Sequence, residues 1–124
     1  MMSVGVLMLA SCGQTKEKLI ATGIEMINKQ YPVQVDANTR MDSLIYNSGA
    51  QTVTFYASVT GNADNADVFA QMGDQLTTVM VEAVKNDNTL KLFKDNDLNI
   101  AYIYSSDSSK NELLKVLVTP EMYK

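Results

Sequence analysis

Histidine is absent from the 124 residues, and cysteine and arginine occur once each, as Cys12 and Arg40. The absence of His removes the commonest general base near neutral pH and the commonest metal ligand. It also removes every Ser-His and Cys-His nucleophile arrangement. One Cys can close no intramolecular disulfide and build no thiolate zinc site. Only carboxylate, Lys or Tyr chemistry is left to an enzyme, so the expectation is a non-catalytic protein with no metal and no cofactor. Positive charge is also scarce, with ten Lys and Arg against fourteen carboxylates and a net charge of −4. The Lys residues are scattered among the acids. Both a nucleic-acid face and direct electrostatic adhesion to anionic lipid need clustered cations, and neither is expected.

What is present suits one folded domain. Hydrophobic residues make up 46% of the chain, enough to pack a core without disulfides. The single Cys lies behind an uncharged apolar run, Val4 to Ala10. A membrane-spanning helix needs about 20 apolar residues, so this run is too short to span; it matches the low end of a signal-peptide core. Leu9-Ala10-Ser11-Cys12-Gly13 resembles the bacterial lipoprotein signal, in which a Leu and two small residues precede the Cys that becomes lipidated. The resemblance implies a signal peptide over 1–11, lipid on Cys12, a short tether over 12–15 and one domain over 16–124. Gly13 stands where an Asp resembles an inner-membrane retention signal, which leans towards the outer membrane. A signal peptide normally opens with Lys or Arg, and none precedes Cys12, so the reading frame is expected to extend upstream.

Periodicity then divides the chain. Leu19, Ile20, Ile24 and Ile27 recur at helical spacing and predict an amphipathic helix over 16–29, within which Gly23 would permit close packing. Pro32 ends it, and Val33-Gln34-Val35 reads as a short extended piece. Met41 to Tyr46 and Thr52 to Thr60 predict a hairpin, the second strand alternating Val53, Phe55, Ala57 and Val59 with Thr52, Thr54, Tyr56 and Ser58. A broad apolar stripe predicts a second helix to about Lys85, running from Val68 and Phe69 through Met72, Leu76, Val79 and Met80 to Val84. Thr89 to Phe93 reads as one helical turn. Leu98 to Ser105 and Leu113 to Thr119 predict two further strands, the last stopped by Pro120. The expected fold is α+β, in the order αββαββ, with two helices on one face of a four-stranded, mainly antiparallel sheet.

Polar residues crowd around the only Arg, in Pro32-Val33-Gln34-Val35-Asp36-Ala37-Asn38-Thr39-Arg40-Met41-Asp42-Ser43. This segment and the element order resemble small bacterial envelope proteins. From the residues alone, Asp36 and Asp42 are expected to hold Arg40 in a charge-assisted fork, and Asp36 and Thr39 to cap the turn. If the cluster is a binding site, Asp36, Thr39, Arg40 and Asp42 form it. Asp95-x-Asp97-x-Asn99 begins like a calcium loop, but Ile100 replaces the required Gly, so a plain acidic turn is expected.

The functional expectation is a lipid-anchored, non-catalytic cell-envelope domain that binds a protein partner. Either the exposed sheet face or the Arg40 turn would serve. A small-ligand or cell-wall-fragment binder, with its pocket between helix and sheet, is the alternative. A closed, apolar helix–sheet seam would favour the partner, and a polar-lined cavity the ligand.

Overall fold

The computed structural model describes residues 16–124. The expected signal peptide and Cys12 lie outside the described residues. Helix α1 covers 16–28; of the predicted stripe it buries Ile20 and Ile24 and half-buries Ile27, while Leu19 is exposed. A Cβ on Gly23 would lie 2.7 Å from Leu92 Cδ2, so this helix does approach its neighbour closely.

Five strands follow rather than four. They are β1 (Val33–Asp36), β2 (Thr39–Asn47), β3 (Thr52–Val59), β4 (Asn99–Ser106) and β5 (Glu112–Val118), in spatial order β1-β2-β3-β4-β5. The extra strand is the short extended piece after Pro32. It gains its ladder from β2, across the tight turn at Ala37 and Asn38, and propensity alone cannot supply that. The central pair β3–β4 is parallel, while the other three pairings are antiparallel. A parallel pair needs a crossover, here helix α2 (Ala66–Asn86).

The helix count also exceeds the expected two. The turn near Thr89 is a 3-10 turn, Asn88–Leu90, that runs into helix α3 (Lys91–Asp95). Helix α4 (Pro120–Tyr123) starts at the residue expected only to stop a strand. Proline does both jobs, because its fixed φ suits the first helical position, where its missing N–H costs nothing. Tyr123 then folds back into the core, and its hydroxyl donates to the Leu98 carbonyl at 2.9 Å. Burial and the nearby Asp97 and Asp95 push this phenol up to about 12.

The core lies on one face of the sheet. Leu44, Val53, Phe55, Ile100, Val116 and Val118 supply the floor, and Ile20, Val84, Phe93 and Tyr123 come from the helices. Asn28 joins the two layers. Its amide donates to the Leu44 carbonyl at 2.7 Å and accepts from the Leu44 N–H at 2.8 Å. β1 pairs with β2 only as far as Met41, so the Asn28 side chain serves as strand partner beyond it.

Gly61 sits where the chain leaves β3, at φ 64, and a Cβ there would lie 2.7 Å from Asn38 Nδ2. That amide already donates to the Thr60 carbonyl at 2.8 Å. Gly61→Ala is therefore expected to cost about 2 kcal/mol of unfolding free energy in urea, from backbone strain and crowding together. Gly49→Ala, whose new Cβ would meet nothing closer than 3.4 Å, should fall within about 0.5 kcal/mol of the parent.

Candidate functional site

Strand alternation splits the polar cluster around Arg40 into two sites. Asp36 and Thr39 pair with each other, and Thr39 pairs with Val59, so both sit on the helix-covered face. Arg40 pairs with Ser58, on the opposite, open face. Asp36 therefore does not reach Arg40. Its carboxylate accepts instead from the Asn38 N–H at 2.8 Å and closes the β1–β2 turn. Asp42 does hold Arg40, at 2.6 Å from Nε, and its other oxygen accepts from the Ser58 hydroxyl. The second arm of the fork is Asp107, which accepts from Arg40 Nη2 at 2.9 Å. Asp107 lies 67 residues away in the chain, and no local pattern marks it.

These bonds hold the Arg40 guanidinium above its ordinary pKa, the Asp42 hydrogen bond first and the Asp107 bond second. The Arg40 hydrogen bond, and then the Lys110 charge, hold the Asp107 carboxyl below its ordinary value. A carboxylate depressed in the folded state stabilises above its unfolded pKa, near 4, and loses that contribution as pH falls through the folded value. Urea midpoints of the parent and Asp107→Asn should thus differ at pH 7 and converge as pH falls from 4 to 2. A difference that persists unchanged at pH 2 would show that this ion pair is not its source.

The helix-covered face is incompletely covered. Of the broad apolar stripe on α2, Val84 alone is buried. A Cβ on Gly73 would lie 3.8 Å from Leu114 Cδ1, so the helix leans over the edge strand β5 and away from the sheet centre. A groove of about 280 Å³ remains between them. Phe69, Leu76 and Met80 form its helical wall, Val59 and Tyr104 its floor, and Val35 its far wall. Asp36 and Thr39 stand at its border, so these two residues adjoin this groove and not the Arg40 network. Outside the groove, Val68, Met72 and Val79 leave a second apolar strip of α2 exposed, each more than 40% accessible. Those side chains read as core in the sequence. The signal that could have marked them was width, since the stripe is broader than one sheet can cover.

A second cavity of about 230 Å³ opens next to the groove, between the end of α1 and the 3-10 turn. Its floor includes Tyr102, two residues from Tyr104 on the same face of β4. Tyr102 stacks on Phe55, with ring centroids 4.9 Å apart and planes 10° apart. Burial raises the Tyr102 phenol strongly, aided by Tyr104, the Asp87 charge and Tyr31; burial raises Tyr104 as well. Among the described residues there is no cluster of His, Cys, Asp and Glu fit to hold a metal ion, and Asp95 and Asp97 pair with Lys91 and Lys124. No helix among them is long and apolar enough to cross a membrane.

Three solved structures share this fold. A protein from Pseudomonas aeruginosa, described as secreted, aligns with a TM-score of 0.70 at 9% identity, covering 88% of this chain and 96% of its own. The type II secretion system pilotin AspS from Vibrio cholerae aligns at 0.66 and 14% identity, covering 92% and 97%. EpsS, the pilotin of the Vibrio vulnificus type 2 secretion system, aligns at 0.61 and 10%, covering 90% and 97%. At these identities the likeness is one of fold. No curated protein matches the sequence. Residues 14–114, which include β1 to β4, the start of β5 and both walls of the groove, match the model of a domain of unknown function, and the chain belongs to that family, DUF8479.

Proposed function

We propose that this chain is a lipid-anchored, non-catalytic protein of the bacterial envelope, on the outer membrane, and that it holds a protein partner in the groove between α2 and the sheet. The observation that carries the reading is α2 itself. A 21-residue helix with one buried residue keeps an apolar surface that the domain does not use. Contiguous exposed apolar surface on a small soluble domain marks an interaction site. A groove between a helix and a sheet, lined by Phe69, Leu76 and Met80, has the form that receives an amphipathic segment. The fold shared with two pilotins, proteins of secretion systems, supports a role in envelope assembly. Lipid on Cys12 would hold the domain at the membrane and keep the groove in reach of envelope partners.

The lining weighs against a cell-wall fragment, because sugars need several convergent polar groups and this groove offers mostly carbon. The open sheet face is the competing protein surface, with the Arg40 network at one end.

The test places a photo-crosslinking amino acid at Met72, or at Thr54 on the open face, in cells producing the full chain. Adducts from Met72 that fall at least tenfold in a Phe69→Asp background support the groove. Adducts from Thr54 alone would move the site to the sheet face. Phe69 is half-buried, so Phe69→Asp should cost no more than about 1.5 kcal/mol and leave the domain folded. Metabolic labelling with an alkyne fatty acid, lost in Cys12→Ala, checks the anchor separately.

A further inference from the structure

The cavity beside the groove has a composition of its own. Three aromatic rings line it, Tyr31, Phe55 and Tyr102, together with one carboxylate, Asp87. Aromatic faces attract cations through their quadrupole within about 6 Å, and a desolvated carboxylate supplies the counter-charge. Asp87 Oδ1 is already used, accepting from the Thr89 N–H at 2.9 Å and the Thr89 hydroxyl. Among the described residues, Asp87 enters no ion pair with a Lys or Arg of its own chain. Lys94, across the turn, is committed elsewhere, donating to the Val84 and Lys85 carbonyls at 2.8 and 3.1 Å. The stacked Phe55–Tyr102 pair presents a fixed aromatic floor. The remaining carboxylate of the neighbourhood, Asp36, lies along the adjoining groove. Among the described residues, no Lys or Arg lines either cavity.

From this arrangement we infer that the Tyr31–Tyr102–Asp87 cavity is a cation subsite, which receives a Lys or Arg side chain from the same partner segment whose apolar face fills the α2 groove. The inference rests on the groove reading and adds the partner's chemistry to it: apolar residues with a basic residue at one end. Tyr102 and Tyr104 stand on the floors of the two cavities, two residues apart on one strand, which is about 7 Å. A helix rises 1.5 Å per residue, so the basic residue stands about four to five positions from the end of the apolar face. The charge also fits the whole chain, whose net −4 favours basic partners.

The test uses the full chain in lipid nanodiscs and two synthetic amphipathic peptides. They share one Leu face and carry, four residues beyond it, either Arg or its uncharged isostere citrulline. The Arg peptide is expected to bind at least tenfold tighter. Asp87→Asn, which keeps the oxygen that caps Thr89, should erase that preference, whereas Phe69→Asp should weaken both peptides alike. Equal binding of both peptides to the parent would overturn the subsite and leave the groove standing. A second measurement follows the Tyr31 and Tyr102 ring signals by NMR as N-acetyl-arginine methylamide is added. Saturable shifts that vanish in Asp87→Asn, with neither peptide bound, would keep the subsite and sink the groove. No shift and no peptide preference would overturn the cation subsite outright.

Discussion

Phe93→Ala lowers the unfolding free energy by about 4 kcal/mol, the largest loss expected from any single truncation of this chain. Phe93 is 1% accessible and belongs to the buried cluster that includes Ile20, Leu98 and Tyr123. It sits on α3, a helix of five residues, far too short to persist without tertiary contacts. Truncation removes the transfer free energy of the ring and leaves a cavity that the short helix and the mixed sheet cannot close. For about a hundred ordered residues, this corresponds to a fall in Tm of roughly 20 °C. Phe69→Ala supplies the contrast. Phe69 also lies on an apolar stripe, but on the loosely covered part of α2, and its truncation should cost under about 1.5 kcal/mol. Urea unfolding of the two variants side by side checks the assignment of core and groove. Equal losses would mean that the Phe69 wall is core.

Asn28→Ala carries the second large effect, about 3 kcal/mol. The side chain satisfies both backbone groups of Leu44, a residue only 1% accessible. Removing it leaves an N–H and a C=O without partners, and each such loss costs roughly 1–3 kcal/mol when water cannot replace the bond. Asn28→Asp sharpens the test. A carboxylate can still accept from the Leu44 N–H but faces the Leu44 carbonyl with like partial charge, so at pH 7 it should stabilise no better than Ala. Protonation at low pH would restore a donor and recover part of the loss. Hydrogen exchange at Leu44 gives a local readout, since its amide should lose protection in Asn28→Ala before the β3–β4 ladder does, and keep more of it in Asn28→Asp.

How far the sequence can be read depends on where the information sits. The Val53-Phe55-Ala57-Val59 alternation specifies β3 and its buried face, and the structure keeps both. The α1 stripe is equally local, and Ile20 and Ile24 are buried as its spacing predicts. β1 is different. Four residues, Val33–Asp36, carry too little pattern, and the strand exists because β2 lies beside it. Pro120 has two local meanings, strand stop and helix start, and only the pocket that receives Tyr123 selects the second. The Arg40 site was half legible. Asp42 is two residues away and shares its face, whereas Asp36 looks as close along the chain but falls on the other side of the sheet. Asp107 arrives through the fold alone. The groove was hidden for another reason. Phe69, Leu76 and Met80 have the spacing of core residues, and spacing records that a helix face is apolar without recording what covers it.

The placement of α1 sets a direction for the described domain. Its first turn lies against the β2–β3 hairpin end, where the Tyr46 hydroxyl approaches Glu17 at 3.4 Å. The groove floor is at Val59, six residues along β3 from the row of Tyr46 and Val53, about 20 Å further on. The chain before residue 16 therefore joins the domain at one pole, and the groove opens near the other. On the lipid anchor proposed at Cys12, the domain would stand upright with its open cleft turned outward. A partner could then enter from the aqueous side without displacing the protein from the surface that holds it.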